Sequence, residues 1–399
     1  MTRETTDILI SGGGVAGLTA AAAFGSSGFS VICVDPTPPV TSMEAEGADL
    51  RTTAFLQPSI PVFEAAGLWD RLAPHAAALQ IMRIVDAGGE LPEPRIVKEF
   101  DATEISDHPF GWNLPNWLLR REMVERLAEL PNVSFRPGVA ATRLLTRDSE
   151  ALVTLSNGTR IAARLVIAAD GRDSAMREAL GIPVRTMRYG QKALAFAVSH
   201  PIPHRNVSTE IHRSGGPFTL VPLPDRNGLP CSAIVWMETG PNIQRLATLP
   251  PAEFEAEMNT RSCHILGPLT LISRRTVWPI ISQIADRMSG ERTALLAEAA
   301  HVVPPIGAQG LNMSLADLKA LLDLAEADRD GLGSARMLDA YHRQRHNEIQ
   351  IRVTGIDALN RASMMGAQGL RDLRATALNA LYSVAPVRKT LMRTGLGLR

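Results

Sequence analysis

Cysteine is scarce in this sequence: 3 among 399 residues, at Cys33, Cys231 and Cys263, with no C-x-x-C and no paired framework. That scarcity excludes a cysteine-held zinc site and a disulfide-stapled secreted fold. It suits a reducing cytoplasm. Net charge is also absent, with 41 basic residues against 41 acidic ones, so there is no overall basic excess to hold a phosphate backbone and no nucleic-acid partner is expected. No apolar run approaches the roughly 18 residues that a membrane span needs. The N-terminus carries Arg3, Glu4 and Asp7 where a signal peptide would be apolar, and the expected location is cytoplasmic.

What the chain does have begins at Asp7, in the stretch DILISGGGVAGLTAAAAFGSSGFSVICVD. Asp7-Ile8-Leu9-Ile10 is a short apolar run that reads as a buried strand. Gly12, Gly14 and Gly17 follow at G-x-G-x-x-G spacing and open an Ala-rich helix, whose first amides lack intrahelical partners and favour an anionic diphosphate. Each glycine has a separate steric task. Gly12 makes the tight turn, Gly14 lets the diphosphate approach the backbone, and Gly17 lets the helix lie close to the strand. Val31 to Val34 is a second strand, and Asp35 ends it 18 positions after Gly17. A carboxylate there accepts hydrogen bonds from ribose hydroxyls and disfavours a 2′-phosphate.

Further along, Ile81 to Val85 and Arg95 to Phe100 read as strands separated by Pro- and Gly-containing turns, an excursion from simple strand-helix alternation. Short strands at Val133 to Phe135, Ala141 to Leu145, Leu152 to Leu155 and Arg160 to Ala163 suit a small antiparallel sheet laid on the first one. Leu165 to Ala168 is then a buried parallel-type strand. Strands dominate from Gly181 to Ala252, as a second lobe. The fold class expected is α/β: a Rossmann-like nucleotide lobe interleaved with a mostly antiparallel β-sheet lobe, followed by a helical C-terminus. At 399 residues the chain is long enough for two or three well-buried lobes.

Two more constellations complete the picture. LVIAADGRDSAMR, from Leu165 to Arg177, is an apolar strand delivering Asp170-Gly171; RTALLAEAAHVVPPIGAQGLNMSLAD, from Arg292 to Asp317, is a strand ending at Ala297-Glu298 and a helix beginning near Leu311. With these, ADLRTTAFLQPSIPVFEAAGLW at 48–69 and GWNLPNWLLRREM at 111–123, nearly the whole chain resembles the flavin-dependent aromatic hydroxylases of the p-hydroxybenzoate hydroxylase fold. Within them it is most similar to the ubiquinone-biosynthesis hydroxylases.

The resemblance implies FAD as cofactor, with Gly12, Gly14 and Gly17 at its diphosphate and Asp35 at the adenosine ribose. It places Arg51 and Arg120 along the cofactor, Asp170 in a motif used for FAD and for a reducing nucleotide, and Glu298 at the ribityl and diphosphate groups. Gly310, Leu311 and Asn312 would offer backbone amides to the flavin ring, where a helix N-terminus stabilises negative charge. The segments 1–75, 111–180 and 276–345 would form the FAD-binding lobe, 76–110 and 181–275 the substrate lobe, and 346–399 a basic helical C-terminal segment. The implied reaction uses an external electron donor, NAD(P)H being one candidate, and dioxygen. It transfers oxygen through a flavin hydroperoxide to the ring of a polyprenylated phenol.

One departure stands out: the family has Gly-Asp where this chain has Ala297-Glu298. That leaves open a second reading, a non-catalytic subunit that keeps the fold to organise a quinone-synthesis assembly. No catalytic acid or base is assigned and no metal is expected; His342 and His346 lack an evident third ligand. His301 lies beside the cofactor loop, with a structural hydrogen bond favoured over proton transfer, and Tyr189 and His212 could face a phenolic substrate across the sheet, with packing or surface as the plainer role. Phe196, Phe218, Leu220 and Trp236 are candidate ring contacts, with core packing as the plainer role. From Arg343 onward ten basic residues face three acidic ones. Leu370, Leu373, Ala377, Leu381 and Val384 recur there at helical spacing, as a peripheral contact with the inner face of a membrane requires, though a helix covering the core is the simpler expectation.

Overall fold

The glycine-rich turn sits where its neighbours bury it. In the computed structural model, which describes residues 3–398, β1 (Arg3–Ser11), α1 (Val15–Ser26) and β2 (Val31–Asp35) form the opening unit. Ile8, Leu9 and Ile10 are fully buried, because a parallel strand covered on both faces carries consecutive apolar residues instead of alternating ones. Every residue of α1 from Ala16 to Gly25 is buried. A helix enclosed on all sides needs no polar stripe.

This unit lies inside an eight-stranded sheet. In spatial order Thr293–Leu295, Arg160–Ala168, β1, β2 and Val133–Pro137 pair in parallel. Arg160–Ala168 is one strand, where two pieces separated at Arg164 were expected. Arg164 does not interrupt it because its guanidinium meets Asp7 of β1 at 3.1 Å. The first half of this strand also pairs antiparallel with Ala151–Leu155, so the small antiparallel sheet is continuous with the parallel one. Val133–Pro137 belongs to the parallel edge instead.

A nine-stranded sheet forms the second lobe. Its long central strand, Val184–Ser199, pairs antiparallel with Leu229–Thr239 on one side and Thr276–Ala285 on the other. The early excursion supplies its far edge: Ile81–Asp86 lies parallel to Val207–His212 and antiparallel to Ile96–Asp101. Thr276–Ala285 belongs to this sheet by its pairing, so the return to the nucleotide lobe falls after Ala285 and not at residue 276. Two helices, Gly240–Thr248 and Pro251–Arg261, cover one face of the sheet. Each has a proline in its first turn, where the missing N–H costs nothing. Three long helices end the described chain: Ala335–Met364, Gln368–Ser383 and Ala385–Leu396.

Candidate active site

The three glycines of the first turn are distinguished by what a Cβ would meet. At Gly12, with φ +112°, it would stand 2.2 Å from the Ala169 carbonyl oxygen, and at Gly17 it would stand 1.9 Å from the Gly12 carbonyl oxygen. At Gly14 it would meet nothing within 4 Å. The first two positions therefore exclude a side chain for reasons internal to the protein, whereas the third borders open space at the start of α1. Asp35 ties the turn to β2: its carboxylate accepts from the Gly13 amide at 2.6 Å and from the Thr37 amide at 2.7 Å. Asp170 accepts from the Met176 amide at 3.2 Å through one oxygen, while Oδ1 is buried without a partner. A buried acceptor left single is costly. A ligand hydroxyl donating there would satisfy it, so the turn, Asp35 and Asp170 fit the diphosphate and sugar portions of FAD.

A cavity of about 340 Å³ lies between the nine-stranded sheet, the strand Thr52–Leu56 and the start of the helix Gln309–Ala327. Arg51, Arg172 and Glu298 line its nucleotide side. Arg51 forms two hydrogen bonds of 2.7 Å to Asp49 and lies over the Trp278 ring at 5.3 Å. Burial pushes the Asp49 carboxyl up, but the hydrogen bond and charge of Arg51, aided by Asn116 and Arg120, outweigh it and hold the group below its ordinary range. Arg120 stands behind, 3.5 Å from Asp49, and orients the cavity arginine through that shared carboxylate. Glu298 is half exposed and stands 3.3 Å from Arg172 Nε.

The far end of the nucleotide side is the start of the helix Gln309–Ala327. Gly307 and Ala308 are both left-handed, at φ +62° and +56°, and swing the chain so that Gly310 and Leu311 face the cavity. No side chain caps this helix, which leaves its first amides for a ligand. Asn312 has a different position. Its side chain accepts from the Leu56 amide and Ser59 hydroxyl and donates to the Ala54 and Ala308 carbonyls at 2.6–2.8 Å, so it clamps the helix start to the strand Thr52–Leu56. Nothing in the sequence pattern distinguished this bridging asparagine from one offering only its amide.

Ala297 shows why a glycine suits its position. Its φ is +57°, a left-handed conformation that costs an L-residue about 1–2 kcal/mol. Ala297→Gly is therefore expected to stabilise the protein by roughly 0.5–1 kcal/mol, the loss of strain being partly offset by chain entropy, and a urea midpoint that falls on substitution would contradict this.

Several candidate residues turn out to be structural. His301 Nε2 lies 2.6 Å from Asp317 Oδ2, and Arg345 Nε lies 2.7 Å from Asp317 Oδ1, all three side chains being buried. His342 accepts from the Met288 amide at 3.2 Å. Tyr189 bonds to Ser282 at 2.8 Å, and burial pushes its phenol up to about 12. The expected ring contacts need correction. Phe218, Leu220 and Trp236 belong to the helix-covered core, where Phe218 packs edge-on against Trp236 at 5.4 Å, while Phe196 packs against Phe254 at 5.1 Å in the same core and also borders the cavity. Their strand neighbours Ala195, Thr219, Val221 and Val235 line the cavity. Alternation identified one face of the sheet, and the two unrecognised helices made it the core. The sequence reading also missed Glu210, which lines the cavity from the second sheet and stands 2.7 Å from His212 Nε2. Its signal was the polar alternation Ser208, Glu210, His212.

Residues 5–354 match the family model described as FAD binding domain. The chain is 32% identical to ubiquinone hydroxylase UbiL of Rhodospirillum rubrum over 398 residues, covering 99% of this chain and 90% of the relative. It is 26% identical to 3-demethoxyubiquinol 3-hydroxylase of Escherichia coli, with 100% of both covered. Among solved structures, p-nitrophenol 4-monooxygenase PnpA from Pseudomonas putida superposes with a TM-score of 0.80 at 19% identity, with 100% of both chains covered, a likeness of fold. A glycine turn, an acid-ended second strand, an orphaned Asp170 oxygen and this full-length similarity all agree: the chain belongs to the FAD-binding-domain family of flavin-dependent aromatic monooxygenases.

Proposed function

We propose that this protein hydroxylates the aromatic ring of a polyprenylated phenol in ubiquinone biosynthesis, using FAD, dioxygen and an external electron donor. The observation that carries the reading is the mixed lining of the cavity. Arg51, Glu298 and an uncapped helix start share it with an apolar wall of Leu79, Ile81, Met82 and Phe110. That arrangement suits a polar cofactor edge facing an apolar substrate. FAD, when bound, supplies the activation of dioxygen. The protein's own residues supply the rest. Gly12, Gly14 and Gly17 admit the diphosphate; Asp35 and Asp170 orient the sugar portions; and Arg51 and Glu298 fix the charged groups between them. The amides at Gly310 and Leu311, with Asn312 bracing their helix, offer positive potential to the ring. The second sheet keeps water from the reacting edge.

The test is direct. Purified protein should carry a flavin spectrum, and a tailed phenol should stimulate oxidation of NADH or NADPH with one oxygen added per turnover. A strain lacking the protein should accumulate the quinone precursor one hydroxyl short. A fold kept only to organise a quinone-synthesis assembly would give bound flavin without product, and that outcome would end the enzymatic reading.

Peripheral membrane contact is part of the same proposal. No helix among the described residues is long and apolar enough to cross a membrane. Yet Leu370, Leu373, Leu381, Val387 and Leu391 on the last two helices, and Val384 between them, are all exposed, on the same stretch as a surplus of basic residues. Arg374 and Arg388 are held inward by Asp86 and Glu104. Among the described residues of this stretch, Arg371, Lys389 and Arg393 remain without an ion pair, and Lys389 and Arg393 on the last helix are available to anionic headgroups. At roughly 1 kcal/mol per basic residue near an anionic surface, Lys389→Glu with Arg393→Glu should weaken binding to phosphatidylglycerol vesicles at low salt by at least about tenfold while retaining the flavin. Unchanged sedimentation with vesicles would remove the membrane from the proposal.

A further inference from the structure

The wall that the second sheet turns to the cavity is nearly all neutral: Ala195, Ser208, Thr219, Val221, Ala233 and Val235. Glu210 is the acid that this sheet contributes among the described lining residues. Its side chain is 12% exposed, and its near partner is His212, whose Nε2 stands 2.7 Å from Oε1. The residue lines the cavity. His212 Nδ1 is buried with no partner. An acid on a cavity wall otherwise lined by Ala, Ser, Thr and Val is one of the few polar groups there that can meet a polar part of a ligand.

We infer that Glu210, held by His212, is the catalytic base that takes the hydroxyl proton of the phenol. The inference rests on the hydroxylase reading above. As the new C–O bond forms at the ring, the phenol oxygen becomes electron-poor and strongly acidic. Its O–H bond breaks, the proton goes to the Glu210 carboxylate, and the electron pair stays on the oxygen as a ring carbonyl. The O–O bond of the oxygen donor breaks as the C–O bond forms, and its other oxygen leaves at the oxidation level of water. The attacked carbon gives up its hydrogen as a proton while Glu210 returns its own to the carbonyl oxygen, restoring the aromatic ring with a second hydroxyl, and the proton from the carbon goes to the departing oxygen as water. The oxygen atom and electrons are those of dioxygen and the external donor already required.

The surroundings suit a group that changes charge. On Ile81–Asp86, Asp86 lies beside His212 in register and is itself neutralised by Arg95 at 2.6 Å and Arg374 at 2.9 Å. Arg374 also reaches the His212 carbonyl at 3.5 Å, and Arg213 follows in the chain. The strand Pro217–Arg226 places Pro217 and Thr219 opposite the pair, neither of which titrates. Across the cavity stand Arg51, Arg172 and Glu298.

The experiment uses FAD-loaded wild type, Glu210→Gln, Glu210→Asp and His212→Gln, with a short-tailed prenylated phenol and its O-methyl ether. By equilibrium titration, the wild type should bind the phenol more tightly than the ether, and Glu210→Gln should lose that preference. Its kcat on the phenol should fall by about 10²-fold, with KM changed by less than about threefold and flavin content unchanged. The acid limb of the kcat profile should vanish with it, and Glu210→Asp should recover part of the rate. His212→Gln should lower kcat by a smaller factor. Retention of both rate and phenol preference in Glu210→Gln overturns the inference, as does loss of flavin, which would make Glu210 a support of the cofactor lobe. If the wild type binds these phenols without turning them over, the hydroxylase reading fails instead, and the phenol-over-ether preference still reports on Glu210.

Discussion

Gly14→Val should give a folded but colourless protein. Gly14 has φ −71° and ψ 177°, extended values open to any residue, and an added Cβ would meet no protein atom within 4 Å. Valine therefore fits the polypeptide and intrudes only on the space beside the start of α1, where the diphosphate is proposed to lie. The flavin-to-protein absorbance ratio after gel filtration should fall at least about tenfold, the equivalent of roughly 1.4 kcal/mol or more of lost affinity, while the unfolding midpoint of the flavin-free form stays near that of the parent. Gly17→Val is the necessary contrast. Its Cβ would be forced to 1.9 Å from the Gly12 carbonyl oxygen, so insoluble or unfolded protein is expected. Full flavin content in Gly14→Val would remove the diphosphate from this turn.

The second large effect lies away from the cofactor. Asp317→Ala should destabilise the fold by about 3–5 kcal/mol, the usual cost of removing one partner from a buried ionic cluster. Asp317 is wholly buried, with His301 on one oxygen and Arg345 on the other, and Arg345 is further bonded to Glu348 at 2.6 Å. Alanine would leave a guanidinium and an imidazole enclosed without their carboxylate. Urea unfolding measures the loss, and a change below about 1 kcal/mol would show that water enters and replaces the acid. This cluster joins the helices Gln309–Ala327 and Ala335–Met364 to the strand His301–Val302. The variant should consequently also lose order at the cavity's helix start.

The nucleotide unit was legible in the sequence because its determinants are local. Gly12, Gly17 and Asp35 act within one strand-turn-helix-strand segment, and each has a steric or hydrogen-bonding task that residue type alone discloses. The second sheet was legible as strands but not as faces. Phe196, Phe218 and Trp236 alternate as clearly as Ala195, Thr219 and Val235, and only the helices Gly240–Thr248 and Pro251–Arg261 decide which set is core. Glu210 escaped for a related reason, since a lone acid on an alternating strand reads as solvated until the opposite wall is known. Asn312 could be located, but its bond to Leu56, far away in the chain, could not. Arg164 was taken as a strand break because its neutralising partner, Asp7, belongs to a different segment.

Met392 and Leu396 pack against Leu56 and Phe110, with Met82 beside them, and those three residues are also part of the cavity wall. During synthesis Met392 and Leu396 emerge from the ribosome after every strand of both sheets. The apolar wall of the cavity is thus the last part of it to gain its backing. How firmly that wall is held depends on how often a short terminal element detaches, a rate set separately from the stability of the glycine-turn unit itself.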